Sequence, residues 1–266
     1  MARFVCTFIS YSLMRTVDLT LIVPTPTLAD MMEAGDTSNE IVRHTPKENY
    51  PVLYLLHGIG NNHTAWTSYT NIERYAEERS IAVVMFSAEN KFYVDKPGGD
   101  QFFQFLNDEL PDFVCGMFPI SRRPKDTFIA GLSMGGYGTL LHIFSAPEHY
   151  AAAGAFSSAI HIDPRSIDEI ERDATRPPEY NPLALASAAV NAGKHLPALY
   201  LSCGEADFLF ADNILFRDQL RAAGVEFEWR QEPEVGHEWQ FWDRQVKQFL
   251  DWIPRTDFYS GKRRKC

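Results

Sequence analysis

The sequence predicts an α/β fold, in which helices pack on a mainly parallel, twisted β-sheet. Three observations support this prediction. Short apolar runs that suit buried strands alternate with segments of helical periodicity. The 266 residues are 45% hydrophobic, which is enough for one sizeable core. No linker or internal repeat divides the chain, so we predict a single domain over residues 1–254 and a tail over residues 255–266.

The N-terminus predicts an antiparallel edge of the sheet. Residues 4–9 and 16–23 mix β-branched and aromatic residues in partly alternating order, and a short polar segment separates the two runs. Such a pair is typical of two antiparallel strands. Residues 25–49, which follow, are rich in Pro, Asp, Glu, Thr and Ser and are predicted to form a loop.

Six further apolar runs predict the remaining strands. The first five are nearly continuous, which is typical of strands buried on both faces of a parallel sheet, and the sixth alternates like a strand near an edge. In chain order they are residues 52–56, 81–86, 127–130, 151–156, 199–203 and 225–229.

Helical periodicity fills the gaps between these runs. Helices are predicted over residues 68–79, over residues 101–114, from Tyr137 onwards, and from Trp239 to Ile253. Pro111 should kink the second of these helices or begin a new turn. Residues 157–195 exceed a plain crossover, with a charged, Pro-rich piece at 163–178 and an Ala-rich piece at 183–192. We predict a short lid-like insertion over the carboxyl ends of the strands.

The composition excludes several classes of function. Lys and Arg number 25 against 35 Asp and Glu, and this net charge of −10 does not suit binding to nucleic acid or anionic membranes. No apolar run approaches the roughly 18 residues of a membrane-spanning helix, and no signal cleavage site follows residues 4–9. The four cysteines are too far apart for a zinc site or a disulfide framework. We expect a cytoplasmic protein without a metal ion, whose basic residues 262–265 form a solvated terminus.

The pentapeptide at residues 131–135, Gly-Leu-Ser-Met-Gly, carries the strongest chemical signal. It matches the pattern G-x-S-x-G and lies directly between a predicted strand and the helix near Tyr137. A nucleophilic serine on a strained strand-to-helix turn needs small neighbours, because backbone and neighbouring strands approach closely there. The turn also points the helix N-terminus at developing negative charge. Ser133 is therefore the predicted nucleophile.

A serine nucleophile requires a base, and hydrolases with this turn place the acid and then the histidine after the serine. Of the eight histidines, only His195 and His237 lie well beyond Ser133 and its neighbouring elements. His195 directly precedes a predicted strand and should lie at the opposite, amino edge of the sheet. His237 follows the last predicted strand, beside Gly236. We predict His237 as the base.

Three carboxylates compete for the role of the acid, namely Glu205, Asp207 and Asp212, which all follow the fifth buried run. Asp207 lies on the loop that must reach His237. Asp212 is expected to cap a helix that begins near Asn213. We predict Asp207, with Glu205 as the alternative.

The oxyanion of a tetrahedral intermediate needs two backbone N–H donors. One is Met134, the residue after the nucleophile. The other should follow an early central strand, and residues 55–60 end a buried run in His-Gly. Gly58 lets this loop fold back, so the Ile59 N–H is the candidate. His57 is predicted to support the loop by hydrogen bonding and not to act as a second base.

Together these motifs resemble the esterase D family of α/β-hydrolases, and their sequence pattern is similar to that of bacterial tributyrin esterases and related acetyl- or feruloyl-esterases. The resemblance spans about residues 50–254. It implies the α/β-hydrolase fold, Ser133, Asp207 and His237 as a catalytic triad, short-chain carboxyl-ester substrates, no cofactor, and a homodimer or homotetramer. The residues that carry it are 55–60, Trp66, 129–138, 203–208 and 236–239.

We therefore predict a serine carboxylesterase for acetyl to butyryl esters that works through an acyl-enzyme. The alternatives with the same triad are a feruloyl or acetyl-sugar esterase, a thioesterase of the S-formylglutathione type, and an acyltransferase. The cysteine often found after the His-Gly-type loop of S-formylglutathione hydrolases is absent, which disfavours the thioesterase. The non-enzyme alternative is a binding module on a hydrolase scaffold, but such proteins usually lack a member of the triad.

Aromatic residues predicted near the carboxyl edge favour a compact acyl pocket that excludes water. We expect Trp66, Phe208 and Trp239 to contact the substrate. The other members of this set are Phe92, Tyr93 and Phe210. Such a set favours a small acyl group over a long chain.

Overall fold

One eight-stranded β-sheet forms the centre of the structure, a computed structural model that describes residues 1–26, 44–160 and 178–261. Its strands are β1 (Ala2–Ser10), β2 (Arg15–Val23), β3 (Val52–Leu56), β4 (Ala82–Phe86), β5 (Thr127–Leu132), β6 (Ala152–Phe156), β7 (Ala198–Gly204) and β8 (Glu228–Glu232). They lie in the order β1-β2-β4-β3-β5-β6-β7-β8. The β1–β2 and β2–β4 pairs are antiparallel, and all other pairs are parallel. The predicted mainly parallel sheet with an antiparallel N-terminal edge is confirmed.

The register of the central strands aligns their carboxyl ends. Leu132 at the end of β5 pairs with Phe156 of β6, and Phe156 pairs with Ser202 of β7. Nearly every residue of these three strands is buried, in agreement with their continuous apolar sequences. The residues that follow β5, β6 and β7 therefore emerge side by side at one edge, where open α/β sheets bind ligands.

The last strand begins later than predicted. The alternation of residues 225–229 predicts a strand there, but β8 spans Glu228–Glu232 at the edge of the sheet. The Val225 N–H donates to the Leu220 carbonyl, and the preceding Gly224 has a φ of 80°. A left-handed glycine with such a bond ends many helices. Val225 therefore belongs to a helix terminus and not to the strand.

Helices cover both faces of the sheet. Side chains of α1, α2 and α8 pack on one face, and side chains of α3 to α7 pack on the other. No helix within the described ranges combines the length and the apolar character that crossing a membrane requires. The helices are α1 (Ala65–Tyr69), α2 (Ile72–Arg79), α3 (Phe102–Gln104), α4 (Leu110–Met117), α5 (Met134–Ser145), α6 (Pro182–Asn191), α7 (Phe210–Ala222) and α8 (Trp239–Trp252).

Two predicted helices have different bounds in the structure. The predicted helix 68–79 is two helices, because Thr70 is extended with φ −136° and ψ 171°. The Asn71 N–H that follows donates to the Asp243 carboxylate at 2.8 Å. The helix predicted from Tyr137 begins at Met134. Its first turn is rich in glycine, which leaves no apolar periodicity to detect.

The helix predicted over residues 101–114 is irregular near Pro111, as expected. A π-helical segment, Phe105–Glu109, separates α3 from α4, and Pro111 lies in the first turn of α4. Because proline has no N–H, it donates no bond to the preceding turn. The change from π-helical to α-helical hydrogen bonding therefore lies next to Pro111, which cannot donate a backbone hydrogen bond.

The predicted insertion at 157–195 is described at its two ends. Its Ala-rich piece is α6, and Asn181 caps this helix by accepting from two backbone N–H groups. The Tyr137 hydroxyl donates to the Tyr180 carbonyl at 2.7 Å, which holds this end beside α5. Residues 161–177, and with them most of the Pro-rich piece, lie outside the described residues, so the lid-like placement stays a prediction. Residues 27–43 of the predicted loop and the basic residues 262–265 also lie outside them.

Candidate active site

Ser133 lies in a strained turn between β5 and α5. Its φ of 54° and ψ of −114° are rare for a residue other than glycine. Its amide donates to the Phe156 carbonyl of the neighbouring strand at 2.9 Å, which anchors the turn. Ser133 is 8% exposed. The structure therefore presents this serine, at the carboxyl edge of the sheet, in the conformation expected of a nucleophile on such a turn.

Close contacts explain the glycines on either side of Ser133. A Cβ atom on Gly131 would lie 2.4 Å from the Gly135 carbonyl oxygen, and one on Gly135 would lie 2.6 Å from the Leu56 carbonyl oxygen. These neighbours are backbone atoms, which cannot rotate away. The G-x-S-x-G pattern is therefore required by the approach of α5 to the end of β3.

The loop after β3 lies against the Ser133 turn. A Cβ atom on Gly58 would be 3.4 Å from the Cβ of Ser133, and Ile59 follows directly. Met134 is the first residue of α5, where an N–H has no partner within the helix. In the described ranges, neither the Ile59 nor the Met134 N–H donates a hydrogen bond. Both amides that the sequence predicts as oxyanion donors are thus available at this turn.

His57 supports the loop that carries Ile59. Its Nε2 accepts the Ala88 N–H at 2.9 Å, and its Nδ1 lies 2.7 Å from the Gly58 carbonyl. Because Nε2 accepts, Nδ1 carries the proton and donates to Gly58. Burial lowers the pKa of His57 to about 4, so the ring is neutral at pH 7. This arrangement agrees with the expectation that His57 is not a second base.

Asp207 and His237 form a hydrogen bond beyond the carboxyl ends of β7 and β8. Oδ2 of Asp207 lies 2.8 Å from Nδ1 of His237, and Oδ1 accepts the Leu209 N–H at 2.8 Å. The carboxylate is fully buried. Burial by itself raises the pKa of Asp207, but hydrogen bonds from His237 and Leu209 outweigh it, so the net pKa is lowered. Asp207 is therefore ionised at neutral pH and can hold the imidazole.

The two competing carboxylates are engaged elsewhere. Glu205 is exposed and accepts from Nε2 of Gln231 at 2.7 Å. The expectation that Asp212 caps a helix near Asn213 is wrong, because α7 begins at Phe210 and Leu209 is its N-cap residue. Asp212 therefore lies in the first turn.

The loops that carry Asp207 and His237 touch through their backbones. The Ala206 N–H donates to the Val235 carbonyl at 3.0 Å. The rings of Phe208 and Trp242 lie 4.7 and 4.8 Å from the His237 imidazole. Nε2 is the imidazole nitrogen that Asp207 leaves unoccupied. Over the described part of the chain, no hydrogen bond joins Oγ of Ser133 to the His237 imidazole, whose Nδ1 is bonded to Asp207.

The six aromatic residues predicted for the acyl pocket differ in exposure. Trp66 is 1% exposed and donates its indole N–H to the Leu56 carbonyl at 3.0 Å, so it supports the end of β3. Phe208 is 71% exposed beside His237, and Trp239 and Phe210 are half-buried. The roles of Trp66, Phe208 and Trp239 as substrate contacts stay predictions. Three of the six are buried, namely Trp66, Phe92 and Tyr93.

The cysteines do not resemble reactive groups. Cys203 is buried in β7, and the Cys115 thiol donates to the Ser121 carbonyl from α4. Burial raises the pKa of both thiols, which keeps them protonated at neutral pH. Where the structure describes the chain, no three His, Cys, Asp or Glu side chains are grouped to hold a metal ion.

A comparison with protein-family models identifies the family. The model described as "Putative esterase" matches residues 37–253. The chain belongs to this esterase family. The expected membership of an esterase family is therefore confirmed.

Individual relatives agree with this assignment. The esterase is 28% identical over 248 residues to an acetyl esterase of Caldicellulosiruptor saccharolyticus, which covers 86% of its chain and 93% of the relative. It superposes on the substrate-bound fluorophosphonate-binding serine hydrolase F of Staphylococcus aureus with a TM-score of 0.78, at 27% identity over 94% of its own chain and 97% of the other. The apoenzyme of an S-formylglutathione hydrolase from Staphylococcus aureus gives a TM-score of 0.79, at 28% identity over 94% and 98%. The esterase is a carboxylic ester hydrolase with the α/β-hydrolase fold.

Two residues near His237 were not singled out by the sequence reasoning. Ser157 follows β6 directly, is buried, and accepts the indole N–H of Trp242 at 3.2 Å. Trp242 belongs to the apolar stripe of α8, and such a stripe predicts burial but no particular partner. A single serine after an apolar run carries no signal at all. Only the fold of the esterase brings Trp242 to His237 and Ser157 to Trp242.

Proposed function

We propose that the esterase is a serine carboxylesterase that hydrolyses acetyl to butyryl esters through Ser133, His237 and Asp207. The observation that carries this proposal is the 2.8 Å bond between Asp207 and His237 at the edge where Ser133 occupies its strained turn. A buried carboxylate that accepts the Nδ1–H of an imidazole selects the tautomer with a free Nε2. That nitrogen is the base that a serine hydroxyl needs.

Acylation begins when Oγ of Ser133 attacks the ester carbonyl. Nε2 of His237 takes the hydroxyl proton, and Asp207 stabilises the imidazolium that results. The negative charge on the former carbonyl oxygen is bound by the N–H groups of Ile59 and Met134. The α5 N-terminus adds its positive dipole end at the same point. His237 then gives its proton to the leaving alcohol, and an acyl-enzyme remains on Ser133.

Deacylation repeats these steps with water. His237 takes a proton from the water as its oxygen attacks the acyl carbonyl, and the same two N–H groups bind the second oxyanion. His237 returns the proton to Oγ of Ser133 as the acid leaves. Asp207 stays ionised throughout, which its buried hydrogen bonds favour.

Two observations support a short acyl group. The esterase resembles an acetyl esterase over most of its length. Phe208 and Trp239 lie on the loop and helix next to the catalytic acid and base, where they can line a small apolar space as substrate contacts. We therefore propose that rates fall as the acyl chain grows beyond butyryl.

A thioesterase is the second candidate, because the structure resembles an S-formylglutathione hydrolase with a TM-score of 0.79. The same triad attacks thioesters and oxyesters. Parallel rates on an acetyl oxyester and an S-acyl glutathione distinguish the two. A preference for the oxyester supports the carboxylesterase, and a preference for the thioester would replace it.

Replacement of Ser133 tests the proposed function. Ser133→Ala should lower the hydrolysis of p-nitrophenyl acetate by about 10⁴-fold or more, as loss of a triad member does. A fluorophosphonate probe should label the wild type at Ser133, as located by mass spectrometry of the labelled peptide. Ser68→Ala changes an exposed serine of α1 and serves as the matched control. A folded Ser133→Ala protein with full activity would overturn the proposal, and an unlabelled, inactive wild type would favour a binding module.

We also propose that the esterase acts in the cytoplasm as a homodimer or homotetramer. Free cysteines in the described ranges suit a reducing compartment. Exposed apolar side chains on the β1–β2 hairpin, such as Val5, Ile9 and Met14, offer a surface that an assembly can bury. Light scattering on the purified protein tests the assembly, and a monomer at micromolar concentration would contradict it.

A further inference from the structure

A buried tyrosine lies behind the loop that carries one of the two proposed oxyanion donors. Tyr93 has no exposed surface, and its hydroxyl donates to the His57 carbonyl at 2.8 Å. This carbonyl is two residues before Ile59, on the loop that follows β3. The tyrosine hydroxyl therefore bonds the backbone of the oxyanion loop from the inside of the protein.

The backbone around Tyr93 is strained and held in place. The φ angles of Phe92 and Tyr93 are 53° and 60°, and such left-handed conformations are rare for aromatic residues. Nε2 of His142 lies 3.2 Å from the Tyr93 carbonyl oxygen. The Phe92 ring packs edge-on against the Tyr137 ring, with 5.6 Å between the centroids. Because strained residues persist only where their surroundings hold them, the Tyr93 side chain is fixed in one direction.

The ring of Tyr93 also lies directly against α5. A Cβ atom on Gly138 would be 2.5 Å from Cδ2 of Tyr93, so only glycine leaves room for the ring there. Gly138 lies one turn after Met134, the first residue of α5 and the other proposed oxyanion donor. One rigid side chain thus packs on the helix that carries Met134 and bonds the loop that carries Ile59.

Two successive carbonyls of the loop are held by hydrogen bonds. The His57 carbonyl accepts from Tyr93, and the Gly58 carbonyl accepts from Nδ1 of His57 at 2.7 Å. The peptide that joins Gly58 to Ile59 is planar, and in the trans form its C=O and N–H point in opposite directions. The bond to the Gly58 carbonyl therefore directs the Ile59 N–H, and the Tyr93 bond anchors the peptide before it.

We propose that Tyr93 is a positioning residue that fixes the Ile59 N–H relative to the Met134 N–H. This inference rests on the proposed function, in which these two groups bind the oxyanion. Negative charge develops on the carbonyl oxygen only as the tetrahedral intermediate forms. Loss of the Tyr93 hydroxyl should therefore weaken binding of the transition state and leave binding of the ester almost unchanged.

The experiment measures Tyr93→Phe, which removes the hydroxyl and keeps the ring, on p-nitrophenyl acetate. One lost hydrogen bond should displace the loop by less than the roughly 1 Å that costs about 10²-fold in rate. We expect kcat to fall about tenfold, with KM within about twofold of the wild type.

Inhibition by a trifluoromethyl ketone provides a second measurement that reports on the oxyanion. Oγ of Ser133 adds to the ketone carbon, its proton passes to Nε2 of His237, and the former carbonyl oxygen becomes an oxyanion. That oxyanion occupies the position between the Ile59 and Met134 N–H groups, as in the tetrahedral intermediate. The inhibition constant of Tyr93→Phe should therefore rise about tenfold, in step with the fall in kcat.

Tyr200→Phe is the matched control. Tyr200 is 1% exposed on β7, and its hydroxyl donates to Oε1 of Gln245 at 2.9 Å, away from the oxyanion loop. This variant also loses one buried hydroxyl, so its melting temperature should fall, but its kcat and inhibition constant should stay at wild-type values.

Three results would overturn the proposal. One is a Tyr93→Phe protein with wild-type kcat and inhibition constant, and another is a rise in KM alone, which would indicate a substrate contact. The third is an equal loss in Tyr200→Phe, which would assign the effect to general destabilisation. Fluorophosphonate labelling of wild-type Ser133 separates these results from failure of the proposed function, because a labelled and active wild type retains that function whatever Tyr93 does.

Discussion

Replacement of Gly135 by alanine tests the contact that joins the two halves of the proposed oxyanion site. The new Cβ atom would lie 2.6 Å from the Leu56 carbonyl oxygen and 2.7 Å from the His57 carbonyl oxygen. An ordinary van der Waals contact of a Cβ atom is 3.4–4 Å, so α5 and the end of β3 must move apart by roughly 0.8 Å. Both neighbouring atoms belong to the backbone, and no side-chain rotation can relieve them.

This movement separates the two oxyanion donors. Met134 lies on α5 next to Gly135, whereas Ile59 lies on the loop that follows β3. A misplacement of about 1 Å costs around 10²-fold in rate, and loss of one donor costs about 10²–10³-fold. We therefore expect kcat of Gly135→Ala to fall about 10²-fold. Overpacking should also lower the free energy of unfolding by about 1–3 kcal/mol.

The assay is the hydrolysis of p-nitrophenyl acetate, with near-UV circular dichroism to verify the folded state. Gly116→Ala is the matched control, because Gly116 is also helical and a Cβ there meets nothing closer than Nη2 of Arg122 at 3.6 Å. The control should keep wild-type kcat and gain up to about 1 kcal/mol of stability from helix propensity. A natively folded Gly135→Ala protein with kcat within twofold of the wild type would refute the reasoning.

Three further predictions follow from the site. Asp207→Asn should lower kcat about 10⁴-fold without unfolding the protein, because the amide no longer selects the imidazole tautomer; a loss below tenfold in the same ester assay would argue against Asp207 as the acid. Burial lowers the pKa of His57 to about 4, below its unfolded value of about 6.5, so the unfolded state binds more protons between these pH values and the stability of the protein falls as the pH falls. In urea unfolding, the free energy of unfolding of His57→Gln should therefore fall by about 2 kcal/mol less than that of the wild type between pH 7 and pH 5. Equal losses in the two proteins would contradict the buried neutral ring. Phe208→Ala removes an exposed ring beside His237 and should raise KM for butyrate esters more than for acetate esters; unchanged values for both would exclude a substrate contact.

The nucleophile turn could be predicted because its chemistry is local. Close backbone contact around Ser133 demands glycine at 131 and 135, and the flanking strand and helix are visible as apolar runs. The location of His237 at the carboxyl edge of the sheet could be predicted, because it follows the last strand. The first residues of two helices could not be predicted accurately. The first turn of α5 is rich in glycine, and Leu209, the N-cap residue of α7, is not a usual capping residue.

The exposure of the aromatic residues could not be predicted. Trp66 and Phe208 both follow strands at the carboxyl edge, yet one is buried against β3 and the other is open to solvent. The sequence places both near the edge, but the direction of a side chain on a loop depends on the loop conformation. Only the structure therefore distinguishes an aromatic side chain that supports the fold, such as Trp66, from one that is exposed to solvent, such as Phe208.

The amino-acid sequence by itself determined the succession of strands and helices along the chain, the glycine-flanked Ser133, and the candidate acid and base that follow it, because these depend on periodicity and short-range sterics. Only the tertiary structure decided that Asp207 and not Glu205 reaches His237. It also decided that Trp242 packs on His237 and donates its indole N–H to Ser157. Such contacts join residues on different strands and loops. They depend on sheet register and loop crossing, which no local pattern in the chain encodes.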